Sequence, residues 1–283
     1  MTAALILGGC RAPEESGKGT IYVSIAPLKY FVEQIADTAF MVRVLVPETT
    51  SPETFEPTVQ QIRRLAGART YIAVGLIDFE NELAGSVRNV APDINYLDLS
   101  EGVEIIAGSC RHDHSADGHH SHPADPHIWL SPRIVKDMAQ KIARQLVELD
   151  PAREKFFYAR LDRFLAAIDS LDDHIRSAFD SSGRRAFAIG HPSLTYYAHD
   201  YGLEQISVEA DGKEPGALKM KEIVDLLKSK GIATVLTQKQ TTAAAAEAVA
   251  RELGGEAVLF DPLAEEWLRN MYYVTSILQD ATR

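Results

Sequence analysis

Apolar positions along the chain switch repeatedly between a period of two and a period near four, so short strands are expected to alternate with amphipathic helices. "TIYVSIAPL", from Thr20, has the β-branched alternation of a strand and ends in a proline turn; "KYFVEQIAD" follows with helical spacing, and "FMVRVLVP" is a second strand. "TVQQIRRLAGA" predicts a helix, "TYIAVGL" a buried strand, "FENELAGSV" a helix and "INYLDLS" a strand. This succession is the signature of a parallel sheet with helical crossovers. The pattern recurs after residue 181 as "RRAFAIG", "SLTYYAHDYG", "EQISVE", "ALKMKEIVDLLKSKG", "IATVLTQ", "TAAAAEAVARELGG" and "EAVLFDP", closing on an amphipathic tail. Gly183, Gly202, Gly231 and Gly254 punctuate these elements as turns or helix C-caps.

Two longer helical runs separate the halves. "SPRIVKDMAQKIARQLVELD" places Ser131 as N-cap and Pro132 at the first helical position. The second run, Asp150 to Phe179, has no internal glycine or proline, and Asp150 before Pro151 repeats the cap signature. Such a helix would span about 45 Å, longer than one small lobe is wide, so it is expected to connect two bodies. The expected fold class is α/β, with two Rossmann-like lobes of parallel strands joined by one long helix. Its divisions are a leader remnant and tether (1–19), a first lobe (20–149, with a histidine-rich loop at 111–124), the connecting helix (150–180) and a second lobe (181–283). Ligands of such sheets bind beyond the carboxyl ends of the strands, here between the lobes.

A length of 283 residues accommodates two lobes, and an apolar fraction of 46% suits packed cores. The excess of 40 acidic over 29 basic side chains, a net charge of −11, disfavours nucleic acid and anionic lipid and makes cations easier guests. "LILGGC" resembles a lipobox, with Cys10 as the lipid attachment point and "RAPEESGKG" as a flexible tether. The apolar run is too short to span a bilayer and lacks a basic region before it, so the start of translation is expected upstream of Met1. With Cys10 modified, Cys110 is left as a free thiol or a soft auxiliary ligand beside His112.

Six of the nine histidines crowd into "RHDHSADGHHSHPADPHIWLSP", from Arg111 to Pro132. His112, His114, His119, His120 and His122 alternate with aspartate, serine and glycine, a composition that builds no core but can chelate zinc loosely, as a capture arm or an occupancy sensor upstream of His127. Other candidate ligands follow predicted strands: Glu53 and Glu56 in "SPETFEP", His127 in "DPHIWLSP", His191 in "IGHPSL" and Asp261 in "LFDPL". Two imidazoles and two carboxylates from four separate loops suit a divalent transition metal. Alternatives stand beside each: His127 packing on Trp129, His191 capping the next helix, Asp261 as an N-cap before Pro262, Glu53 as a solvated loop acid. His174 and His199 are expected at the surface.

"VPETTSPETFEPT", the histidine-rich insert, "DPHIWLSP", the long helix opening with Asp-Pro, "HPSLTYYAHDYGL" and "FDPL" together resemble the metal-specific (cluster A-I, zinc and manganese type) solute-binding proteins of bacterial ABC importers, over nearly the whole chain. The resemblance implies two lobes on a rigid backbone helix with the metal between them, ligated by Glu53, His127, His191 and Asp261. Where that family usually reads Pro-His, this chain has Pro52-Glu53, so a carboxylate stands at the position of the first metal histidine. Ligand hardness then favours Mn2+ or iron, whereas the histidine at 191 and the insert favour Zn2+. The expected function is that of an extracytoplasmic receptor, monomeric and lipid-anchored or periplasmic, handing Zn2+ to an ABC-transporter permease, with a manganese or iron receptor or a metal-stabilised surface adhesin as alternatives. A metallohydrolase is disfavoured: no His-Glu-x-x-His helix or nucleophile elbow occurs, and four protein ligands would close the metal to water.

Overall fold

In the computed structural model of the protein, residues 19–92, 94–107, 124–180, 183, 185–209 and 215–282 are described. The first lobe runs β1 (Thr20–Val23), α1 (Ala26–Ala36), β2 (Met41–Val44), α2 (Val59–Leu65), β3 (Thr70–Ala73), α3 (Asp78–Val90) and β4 (Asn95–Asp98). Its four strands are all parallel in the order β2-β1-β3-β4. After α4 (Pro132–Leu149) and α5 (Glu154–Asp180) come β5 (Ala186–Ile189), α6 (Thr195–Tyr201), β6 (Glu204–Ser207), α7 (Ala217–Ser229), β7 (Val235–Gln238), α8 (Ala244–Glu252) and β8 (Ala257–Phe260), then α9 (Trp267–Ala281). The second sheet repeats the first, again parallel, in the order β6-β5-β7-β8. In both sheets the chain leaves its first strand to one side and returns to the other, which opens a crevice at the carboxyl ends of the central strands.

Several local signals act as expected. Ser131 Oγ accepts from the amide of Ile134 at the start of α4, the N-cap its position implies. Gly202, Gly231 and Gly254 all adopt positive φ after their helices. Two expectations need correction. Pro27 does not end a turn but sits in the first turn of α1, where its missing N–H costs nothing. Asp150 makes no capping bond: residues Pro151–Arg153 form a 3-10 turn, α5 starts at Glu154, and the Asp150 carboxylate pairs with Arg153 at 3.2 Å.

The helix α5 packs on α1 and α4 of the first half and on α6 and α9 of the second, so it ties the two lobes along its length. Most buried residues belong to one continuous cluster that crosses the seam; Phe31 of α1, Phe164 of α5 and Trp267 of α9 meet in it, with Phe31 and Trp267 edge to face at 5.1 Å. The two tryptophans lock the seam by hydrogen bonds as well: Trp129 Nε1 donates to Pro262 O at 2.8 Å and Trp267 Nε1 to Trp129 O at 2.7 Å. No helix among the described residues is long and apolar enough to cross a membrane.

Candidate metal centre

Three loops bring the central side chains together. A 3-10 turn at Pro52–Thr54 beyond β2 carries Glu53; the turn before Ile128–Leu130 carries His127; and His191 lies just past β5. Among the described residues, the histidine, cysteine and carboxylate groups whose ligand atoms gather within 4.8 Å of one another are these three. Glu53 Oε1 lies 3.0 Å from His191 Nε2 and 3.6 Å from His127 Nε2, and the two imidazole centroids are 5.3 Å apart. Ligand atoms around a tetrahedral zinc with bonds near 2.0–2.1 Å stand about 3.4 Å apart, so the observed spacings bracket that geometry.

Each imidazole is held from behind by a carboxylate. Asp125 Oδ1 accepts from both the backbone N–H and the ring Nδ1 of His127, at 2.9 and 2.8 Å, and Glu209 Oε2 lies 3.0 Å from His191 Nδ1. With Nδ1 committed as donor, each Nε2 points its lone pair at the centre once deprotonated, the carboxylate–histidine pairing common around protein metals. Both rings are buried, at 7% and 9% exposure, while the Glu53 side chain is 38% exposed.

The electrostatics of the triad follow from this packing. Burial alone would depress the His191 pKa, but hydrogen bonds and charges from Glu209 and Glu53 outweigh it and push the imidazole up to about 10. Glu53 moves the opposite way: burial would raise its pKa, but the His191 hydrogen bond and the two histidines hold it below the ordinary carboxylate range. Asp125 is likewise held low by His127 against its burial. Both shifts favour the charged forms of His191 and Glu53, with the imidazole clamped between two carboxylates.

Asp261 is not drawn into the group. Its Oδ1 accepts from Gln240 Nε2 at 2.7 Å and from the Leu263 amide at 2.9 Å, and its Oδ2 faces Lys239 at 3.4 Å. Glu56 is exposed and also outside the group; His174 and His199 are exposed, as expected for surface residues. His112, His114, His119, His120, His122, Cys10 and Cys110 lie outside the described residues, although Ala107 and Ala124 pair at the two ends of the insert. The cavity among these groups measures about 20 Å³ and is lined also by Ile77, Trp129, Gln238 and Gln240, which suits a single ion or water rather than an organic solute.

The model of the family described as zinc-uptake complex component A, periplasmic (ZnuA), matches residues 21–282. The chain is 25% identical over 276 residues to the zinc-binding lipoprotein AdcA of Streptococcus pneumoniae (strain ATCC BAA-255 / R6), covering 92% of this chain and 53% of that relative. It thus spans about half the length of that relative. It is 22% identical over 280 residues to the high-affinity zinc uptake system protein ZnuA of Bacillus subtilis (strain 168), covering 95% and 87% of the two chains. The crystal structure of a ZnuA superposes with a TM-score of 0.87 at 34% identity, covering 94% of this chain and 100% of that one; a 138–173 deletion mutant of ZnuA with zinc bound gives 0.86, also at 34% identity, covering 94% and 98%.

Proposed function

The chain belongs to the family of periplasmic zinc-uptake complex A components, and we propose that it is the extracytoplasmic receptor that captures Zn2+ and delivers it to an ABC permease. The reading is that of an uptake-complex component rather than an enzyme. One observation supports it most: two histidine Nε2 atoms and a glutamate oxygen from three separate loops converge at zinc-like spacing, each imidazole backed by a carboxylate. Zinc is the cargo, and Glu53, His127 and His191 are its protein ligands; a third nitrogen is replaced here by a hard oxygen, which relaxes discrimination against Mn2+ without removing the preference of two imidazoles for zinc. The histidine-rich insert, leaving and rejoining the first lobe at the Ala107–Ala124 pair, is a loose capture arm for the same ion, and Cys10 is the lipid anchor of a monomeric receptor.

Zinc affinity measured by chelator competition tests this. His127→Ala and His191→Ala should each weaken binding at least about tenfold, and Glu53→Ala should weaken zinc while abolishing the residual manganese affinity. Two histidine variants that bind as tightly as the parent would move the site elsewhere.

A further inference from the structure

Three buried side-chain polar atoms among the described residues have no hydrogen-bond partner: Thr70 Oγ1, Tyr71 OH and Gln240 Oε1. The first two belong to β3, inside the first sheet. The third belongs to a residue that lines the cavity of Glu53, His127 and His191. Nothing in the sequence motifs singles Gln240 out.

The orientation of this amide is fixed by chemistry. Gln240 Nε2 donates to two groups that can only accept, the carbonyl of Glu48 in the first lobe at 3.1 Å and the carboxylate of Asp261 in the second at 2.7 Å. Turning the amide over would set its oxygen against both of those oxygens. Both amide hydrogens are therefore spent, and Oε1 remains as a buried acceptor with no donor. A buried acceptor in that condition is destabilising, and one beside a binding cavity is satisfied most simply by a donor that arrives with the ligand.

The cargo can bring that donor. Glu53, His127 and His191 would supply three ligands to a zinc ion, one fewer than a tetrahedral site takes, and a water on a divalent cation is a strongly polarised O–H donor. Asp261, the other candidate for the fourth position, is already engaged by Gln240, the Leu263 amide and Lys239. We propose that Gln240 is a positioning residue for the cargo: its Oε1 accepts a hydrogen bond from a water that completes the cation's coordination, while its Nε2 keeps Asp261 turned out of that sphere. Since Nε2 also reaches Glu48 across the seam, the same amide couples the fourth position to the closure of the two lobes. An aquated fourth position is also the easiest to surrender when the ion leaves for the permease. The inference rests on the reading of this cavity as the zinc site.

Two substitutions separate the acceptor from the donors. Gln240→Leu removes both; Gln240→Glu keeps an acceptor oxygen in reach but removes both N–H donors. Chelator competition should show zinc binding weakened about tenfold in Gln240→Leu and within about threefold of the parent, or tighter, in Gln240→Glu. Cobalt(II) bound in place of zinc should give an altered ligand-field spectrum in Gln240→Leu, a change that a purely scaffolding residue would not cause. The crystal structure of the zinc-loaded parent should place a water between the ion and Oε1. Equal affinities in all three proteins, equal losses in both variants, or Asp261 bound to zinc where the water is expected would each overturn the role of Gln240 and leave the zinc reading standing. If His127→Ala and His191→Ala bind zinc as the parent does, the zinc reading itself fails, and the role of Gln240 with it.

Discussion

His191 Nε2 lies where a cation would bind, 3.0 Å from Glu53, with the other ring nitrogen 3.0 Å from Glu209. Because those two carboxylates raise the imidazole to about 10, the metal-free site is protonated at neutral pH, and a cation must displace that proton to enter. The sign is fixed: proton release on binding means affinity rises with pH, by about tenfold per unit for one proton, until the imidazole titrates. For the metal-free protein the same shift runs the other way. The folded pKa lies above the ordinary 6.5, so the imidazolium stabilises the fold fully below that value and the contribution is lost as pH climbs through about 10. Calorimetric zinc titrations in buffers of different ionisation enthalpy should count about one proton released near neutral pH, and Glu209→Gln should reduce that count; a pH-independent affinity between neutrality and pH 9 would contradict the arrangement. His127 and His191 were legible in the sequence because each follows a strand or a Pro-flanked turn. The carboxylates behind them were less so, though signals existed. Asp125 stands two residues before His127 in "DPH", the spacing of a side chain that caps a local turn. Glu209 becomes visible only once β5 and β6 are paired: Ile189 lies level with Ser207, and the same offset of 18 sets His191 level with Glu209. Gln240 left no such trace, since its meaning depends on two acceptors from opposite lobes.

Among the elements, the turn from β3 into α3 does more than reverse the chain. Glu80, fully buried in α3, accepts from the amides of Val74, Gly75 and Ile77 at 2.8, 2.7 and 3.2 Å and so clamps the whole turn. Gly75 sits at φ 96° with Asp98 so close that a Cβ would overlap its carboxylate, and no other residue fits there. Phe79, beside Glu80, meets Phe55 edge to face at 5.0 Å, which seats the 3-10 turn carrying Glu53. Burial raises the Glu80 carboxyl to about 7, with Ser24 and the three amides opposing it. A carboxyl raised from 4.5 to about 7 stabilises the fold fully below the lower value and loses that contribution as pH rises through the upper one. The loss is roughly 3 kcal/mol across the interval. Metal-free denaturation should therefore show parent stability falling relative to Glu80→Gln between about pH 4.5 and pH 8; a constant difference would mean the amides alone keep Glu80 ionised throughout. The sequence showed this helix and its neighbours through periodicity and missed the clamp, because an acid in the first helical turn reads equally well as a solvated residue complementing the helix dipole. A different ambiguity lies at the start of α5, where an Asp-Pro pair reads as an N-cap and first helical position but introduces a 3-10 turn before the helix.

At the scale of the molecule, the sequence showed two α/β halves but not how firmly they are joined. Periodicity reports that a face is buried without saying against what. The structure buries α1, α5 and α9 against one another in a single apolar cluster, with both tryptophans at the seam. A smaller cluster beneath α7 and α8 in the second lobe could unfold alone, but β5 ties it in: Ala186 and Ala188 face the smaller cluster, while Phe187 and Ile189, alternating along the same strand, face the larger one. Neither cluster can lose its partner without exposing one face of a central strand. The two lobes should therefore unfold together despite a length at which separate transitions are common. In urea, fluorescence of Trp129 and Trp267, which reports the seam, and far-ultraviolet circular dichroism, which reports both sheets, should trace one coincident transition. Trp267→Ala should lower stability by about 3–5 kcal/mol on both probes, and zinc at a hundredfold excess over its Kd should raise it by roughly 3 kcal/mol on both. Tryptophan fluorescence that changes before the circular dichroism would show lobes that part at the seam, and zinc exchange would then proceed by hinge opening rather than by local movement of the loops carrying Glu53 and Gln240.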